Sequence, residues 1–246
     1  MKTIKINGFT LYFLCLAFLC GYIKTALIIL GIVVFHELGH VFFIHLFHYK
    51  TLEITIYPFG GITKVEKDIN IPLYQEFLIA IGGVLFQMIL FLILLLPLRE
   101  YLCSIFLKYN IAILCFNLLP IIPLDGSIIL NTVLNRVFSY KKSYQIYCGI
   151  SILFIISYFL FNIWSALNNY LIITLFLYKT YEALKNYKYL YNKFLLERFL
   201  YDYKWKHIST KKGNLDILKR ETYQYFKEEN GIVSEKKKLA QRFDKP

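Results

Sequence analysis

Thr25–Phe47 reads TALIILGIVVFHELGHVFFIHLF. As a helix rising 1.5 Å per residue it is about 34 Å long, enough to cross a hydrocarbon layer about 30 Å thick. Four ionisable side chains, His36, Glu37, His40 and His45, interrupt an otherwise apolar run. Such groups are costly inside a span unless they face a partner, a wet cavity or a metal, so their presence calls for a function. Working outward, Gly8–Ile23 is a shorter apolar run. Phe77–Leu96 is stronger, with Gln87 its only strongly polar side chain, and Tyr101–Ile122 is another. Ser143–Tyr178 is 36 residues without a charge, too long for one crossing, and divides into two about Asn162–Asn169. The expected fold class is therefore an all-α polytopic membrane protein with six transmembrane helices.

Composition agrees. The 246 residues are 57% apolar and only 18% charged, with a mean hydropathy of +0.50, which excludes a disordered chain, a coiled coil or a collagen. The net charge of +12 is uneven: the last 68 positions hold 17 basic and 9 acidic residues and so supply +8 of it. Six spans place both termini on one side, and the segments on that side carry 25 of the 28 Lys and Arg residues. The positive-inside rule makes that side cytoplasmic. The division is a transmembrane domain over 1–180 and a small basic, aromatic-rich cytoplasmic tail over 181–246. Basic and aromatic residues just beyond a span, as in Tyr201-Asp-Tyr-Lys-Trp-Lys206, favour the anionic surface of the lipid bilayer over nucleic acid, for which no recognition fold is visible. Cys15, Cys20, Cys103, Cys115 and Cys148 form no Cys-x-x-Cys pair and read as reduced packing thiols.

His36-Glu37-Leu38-Gly39-His40 matches His-Glu-x-x-His. Histidines four apart project from one helical face, so both imidazoles reach one zinc, and the adjacent Glu37 can take a proton from an attacking water. A third protein ligand is needed. The extension that would supply a histidine ten residues after His36 meets Leu46 instead. Among Glu53, Glu76, Glu100 and Asp125, the first two sit in a loop or at a span edge and Glu100 lies on the opposite side. Asp125 follows Pro120 and Pro123 at the cytoplasmic end of the fourth span, where broken backbone suits a protein-lined cavity. Its alternative role is a cap or turn residue after Pro123. Leu52–Tyr57 alternates apolar and polar, and Pro58-Phe-Gly-Gly61 turns it into Ile62–Glu66. This reads as a short β-hairpin or re-entrant loop near the active site, whose edge either receives an extended substrate strand or merely closes the cytoplasmic face. Gly82 and Gly83 read as a close helix approach.

Together, HELGH on one span and Asn117-Leu-Leu-Pro-Ile-Ile-Pro-Leu-Asp-Gly126 on a later one resemble the site-2 protease family of intramembrane zinc metalloproteases. Tyr57–Gly61 and Phe194–Phe199 further resemble its branch that processes a membrane-tethered sigma-factor precursor in endospore-forming bacteria. The resemblance implies one zinc per chain on His36, His40 and Asp125, Glu37 as the catalytic base, and Asn117 and Pro120 beside bound substrate. It also implies a membrane-associated protein substrate, inhibitory membrane partners and a place in the outer forespore membrane. Ile81-Gly82-Gly83 and Ser127 depart from the family's usual Ala-Gly-Pro and second glycine. The branch commonly ends in a nucleotide-binding module, for which the 47 residues after Phe199 are too few. The rival reading is a membrane metal-ion transporter using the same polar cluster, which should show paired repeats with matching broken helices. HELGH has no counterpart in the second half.

Overall fold

The computed structural model describes residues 3–6, 8–57, 60–94, 100–161, 167–228 and 231–243. By contact the chain divides into two units, one of residues 1–67 and 77–119 and one of residues 68–76 and 120–246.

In the first unit, β1 (Thr3–Ile6) leads into α1 (Gly8–Leu19), and a turn at Gly21, whose φ of +76° suits glycine, reverses the chain into α2 (Ile23–Leu46). The buried residues of α2 recur at Ala26, Val33, His36, His40 and Ile44, the three-to-four spacing of one helical face. Leu38, on the other side, is exposed, as are many large apolar side chains of α1 and α3. An apolar surface of that extent is what lipid would cover. The helix stops at His48, whose left-handed φ of +60° lets the Tyr49 N–H return to the Ile44 carbonyl.

Next come β2 (Lys50–Tyr57) and β3 (Gly60–Glu66), the expected hairpin, paired antiparallel from Lys50↔Glu66 to Tyr57↔Gly60. Residues 58 and 59 at its tip lie outside the described residues. The terminal strand β1, which four residues of sequence do not announce, joins β2 in parallel, giving the order β1-β2-β3. Both β2 and β3 pack on α2. Helices α3 (Leu73–Leu94) and α4 (Glu100–Asn117) follow. The fourth span was expected to reach residue 122. It ends at Asn117 because Pro120 and Pro123 cannot continue an i→i−4 ladder.

The second unit holds α5 (Asp125–Val137), α6 (Tyr140–Phe161), α7 (Leu167–Leu200), β4 (His207–Lys211), β5 (Thr222–Glu228), β6 (Gly231–Ser234) and α8 (Glu235–Phe243). The 36-residue uncharged stretch carries two helices, α6 ending at Phe161 and α7 starting at Leu167, within the expected break of Asn162–Asn169; residues 162–166 of that break lie outside the described residues. Among the described residues, three helices, Ile23–Leu46, Leu73–Ile93 and Tyr140–Leu160, are long and apolar enough to cross a membrane. Apolar helices Thr10–Leu19 and Ser104–Asn117 are shorter, and α7 turns charged from Lys179 onward, so helix length alone does not establish six crossings.

The tail differs from expectation. Residue 180, the anticipated boundary, falls inside α7, which continues as one helix to Leu200. Beyond it the chain folds: β4 pairs in parallel with β5, β5 pairs antiparallel with β6, and α8 closes over them. The core is Tyr140, Tyr191, Phe194, Leu195, Leu215, Leu218, Phe226 and Leu239. Its buried arginines, Arg198 and Arg220, are both engaged. The fully buried Arg198 guanidinium pairs with Glu235 at 2.5 and 2.8 Å, donates to the carbonyls of Lys219 and Thr222, and lies 4.1 Å over the Trp205 ring. Arg220 pairs with Glu76 and donates to the Ile71 carbonyl. Glu197 accepts from the Ile69 and Asn70 backbone N–H groups and the Asn70 side chain; burial holds its carboxyl above the usual range despite those three donors. Lys141 holds the Asp216 carboxyl below its usual range. Two arginines of the tail are thus internal, whereas most of its lysines remain on the surface.

Removing one partner of a buried pair leaves an uncompensated charge. Arg198→Met should destabilise the C-terminal unit by about 3–5 kcal/mol, read as earlier proteolysis of residues 201–243 on a denaturant ramp. Arg198→Met with Glu235→Gln should recover a large part of the loss.

Candidate active site

Helices α2 and α3 meet through glycine. A Cβ on Gly39 would lie 2.2 Å from the Gly82 carbonyl oxygen, and one on Gly82 would lie 2.6 Å from that of Gly39, so only glycines allow the backbones this close. Phe35 and Phe42 flank the contact, each packing on Phe86 of α3 with ring centroids 5.5 and 5.7 Å apart. The helix approach expected from Gly82 and Gly83 is therefore present. Gly83 also floors the site: a Cβ there would fall 2.5 Å from His36 Nε2 and 2.6 Å from His40 Nε2.

That approach puts α3 within reach of both imidazoles. His40 Nδ1 donates to the Ile79 carbonyl at 2.7 Å, so its Nε2 presents a lone pair. His36 Nδ1 lies 2.9 Å from Gln87 Oε1. The two Nε2 atoms face one another at 3.0 Å, and both residues are nearly inaccessible, at 4% and 9% exposed. Two neutral imidazoles so arranged turn acceptor toward acceptor, which is unfavourable unless a proton or a cation lies between them. Two zinc–nitrogen bonds of about 2.0–2.1 Å at a tetrahedral angle would hold the nitrogens roughly 3.3 Å apart, a few tenths more than observed. Glu37, partly exposed, brings a carboxylate oxygen into the same group, whose ligand atoms all lie within 4.8 Å of one another. His36, Glu37 and His40 thus fit a divalent metal in both donor type and spacing.

The other expected site residues stand elsewhere. Asn117 is the last residue of α4 in the first unit, half-buried. Pro120 and Asp125 belong to the second unit. Asp125 is the first residue of α5, after the N-cap Leu124, and an acid in that first turn is favoured by the helix dipole. Ser127, at the position of the missing glycine, is buried and donates its hydroxyl to the Leu124 carbonyl at 2.7 Å. Two residues gained importance that motif reading did not assign them: Gln87, noted only as an exception in an apolar run, and Asn110, which joins it. Both are 0% exposed.

Gly83→Ala should push both imidazoles away from their shared point and lower zinc uptake by at least tenfold, measured by chelator competition. Gly31→Ala, on the same helix as the histidines but with nothing within 4 Å, should leave uptake unchanged.

Comparison with known proteins agrees with this geometry. Residues 24–102 match the model for peptidase family M50. The chain is 29% identical over 204 residues to stage IV sporulation protein FB of Bacillus subtilis, covering 80% of this chain and 71% of that protein. It is 33% identical over 126 residues to a zinc metalloprotease of Methanocaldococcus jannaschii, 48% of this chain but only 36% of that one. The solved site-2 protease of M. jannaschii superposes with a TM-score of 0.55 at 26% identity, over 75% of this chain and 90% of that structure. With a His-Glu-x-x-His cluster built into apolar helices, the chain is a zinc metalloendopeptidase similar to the site-2 proteases, and its residues 24–102 carry the likeness to peptidase family M50.

Proposed function

We propose that this protease holds one zinc per chain on His36, His40 and Asp125, and that Glu37 is its catalytic base. The observation that carries the reading is the pair of Nε2 atoms 3.0 Å apart, one of them on an imidazole whose Nδ1 proton is committed to a carbonyl. Asp125 enters from the sequence, as the acid after two prolines at the end of the fourth apolar run. A zinc in this site supplies Lewis acidity toward a water and a peptide carbonyl. Glu37, adjacent to both histidines, takes a proton from the attacking water and returns it to the leaving amide nitrogen as the carbon–nitrogen bond breaks. Asn117, at the C-terminal end of α4, and Pro120 position the substrate backbone. The outer edge of β3, beyond the last strand in the order β1-β2-β3, suits addition of an extended substrate strand, because a helical substrate must unwind before its peptide bond is accessible.

The substrate in this reading is a membrane-associated protein cut near the cytoplasmic face. The motif resemblance and the similarity to a stage IV sporulation protein favour a sigma-factor precursor, with the protease in the outer forespore membrane, six crossings, both termini cytoplasmic, and inhibitory membrane partners. The folded tail beyond α7 faces the cytoplasm and meets the soluble part of the substrate.

Glu37→Gln keeps the shape and hydrogen-bonding capacity of the side chain but cannot take the proton. Zinc content should stay at the parent level while turnover of a membrane-tethered substrate falls by about two to four orders of magnitude. Asp125→Asn should lose zinc together with activity. Full cleavage by Glu37→Gln with zinc retained would refute the base assignment, and parent-like zinc affinity in Asp125→Asn would remove Asp125 from the ligand set.

A further inference from the structure

Resting on the reading of His36 as a metal ligand, we propose that Gln87 and Asn110 are positioning residues, a two-amide relay that fixes His36 in the tautomer able to bind a metal. Amide side chains can turn end for end, so a single Gln beside a histidine would accept from Nδ1 or donate to it with similar ease. The relay removes that freedom because it ends on backbone. Asn110 Nδ2 lies 3.1 Å from the Gln87 carbonyl oxygen, which can only accept, so Nδ2 is the end that must point there. Asn110 Oδ1 is then left facing Gln87 Nε2, 3.3 Å away, and that nitrogen donates to it.

With its nitrogen so engaged, Gln87 offers His36 only its oxygen, at 2.9 Å from Nδ1. His36 Nδ1 must carry the proton, and its Nε2 lone pair is turned toward His40 Nε2. Reversing any one amide sets oxygen against oxygen or NH₂ against NH₂. Because Gln87 and Asn110 are 0% exposed, such a mismatch would be left in a low-dielectric interior and would cost on the order of 1–3 kcal/mol. The direction of every hydrogen bond thus follows from one main-chain carbonyl. His40 reaches the same tautomer by a shorter route, donating directly to the Ile79 carbonyl. Two histidines on one helix are oriented by two different devices on α3, one of them braced by α4.

A partner of this kind typically changes metal affinity 10- to 100-fold when removed. The test uses the full chain in detergent, with zinc affinity by chelator competition and the ¹⁵N spectrum of the metal-free protein labelled at histidine, His36 being assigned by comparison with His36→Gln. The parent should show His36 protonated at Nδ1. Gln87→Met, close in size but unable to accept, should give mixed tautomers and bind zinc about 10- to 100-fold more weakly. Gln87→Glu should recover most of the affinity and the Nδ1–H form, since one carboxyl oxygen accepts from His36 while the other, carrying a proton, donates to Asn110 Oδ1. Asn110→Leu should fall between, because it frees the Gln87 amide to turn. A parent spectrum with His36 protonated at Nε2 would overturn the relay, as would Gln87→Met with parent affinity and tautomer, or Gln87→Glu as weak as Gln87→Met. Should Gln87→Met fail to fold, the parent spectrum and Asn110→Leu decide. A parent that binds no zinc but shows His36 protonated at Nδ1 would refute the metal reading and leave the relay standing.

Discussion

The backbone-to-backbone contact of α2 and α3 at Gly39 and Gly82 is the constraint on which the site depends. Any side chain at either position would have to occupy the partner's carbonyl, so the helices would separate. Separation would withdraw the Ile79 carbonyl from His40 and the Gln87 amide from His36, and the two Nε2 atoms would no longer share a point. Gly83, one residue on, then leaves open the space that the imidazoles fill. A local packing choice, three glycines, is in this way a condition for the chemistry.

Solvation supplies the second constraint. Hydrocarbon offers no hydrogen bonds, so polar groups on apolar helices must be satisfied by the protein itself. Each polar residue of the α2–α3–α4 cluster is answered by another: His36 by Gln87, Gln87 by Asn110, Asn110 by the Gln87 carbonyl, His40 by Ile79. The C-terminal unit solves the same problem with charges. Arg198 and Glu235 neutralise one another in its core, and Arg220 and Glu197 secure the segment 68–76 that leads into α3.

What could be read beforehand follows from how local each signal is. The four-residue spacing of His36 and His40 is a property of one helix, and the hairpin's alternation is a property of adjacent residues, so both were visible in the chain. Pro120 and Pro123 marked where α4 breaks, although the apolar count carried the expected span five residues too far. The tail's fold was not legible because its partners are remote: Arg220 bonds Ile71 across 149 residues, and Glu197 bonds Ile69 across 128, so these two charged residues gave no sign in order that they are buried. Asn110 gave no signal for the same reason, since its importance lies in Gln87, 23 residues earlier on another helix. The strand β1 is four residues long and is defined only by its pairing with β2.

The central claim is that two histidines of one buried helix face, with an aspartate from beyond the fourth span, make a catalytic zinc centre. X-ray absorption at the zinc K-edge of the purified, zinc-loaded protein tests it most directly. The account predicts a four-coordinate site of two imidazole nitrogens and two oxygens, one from Asp125 and one from solvent. A first shell containing sulfur, or fewer than two imidazoles, would contradict it.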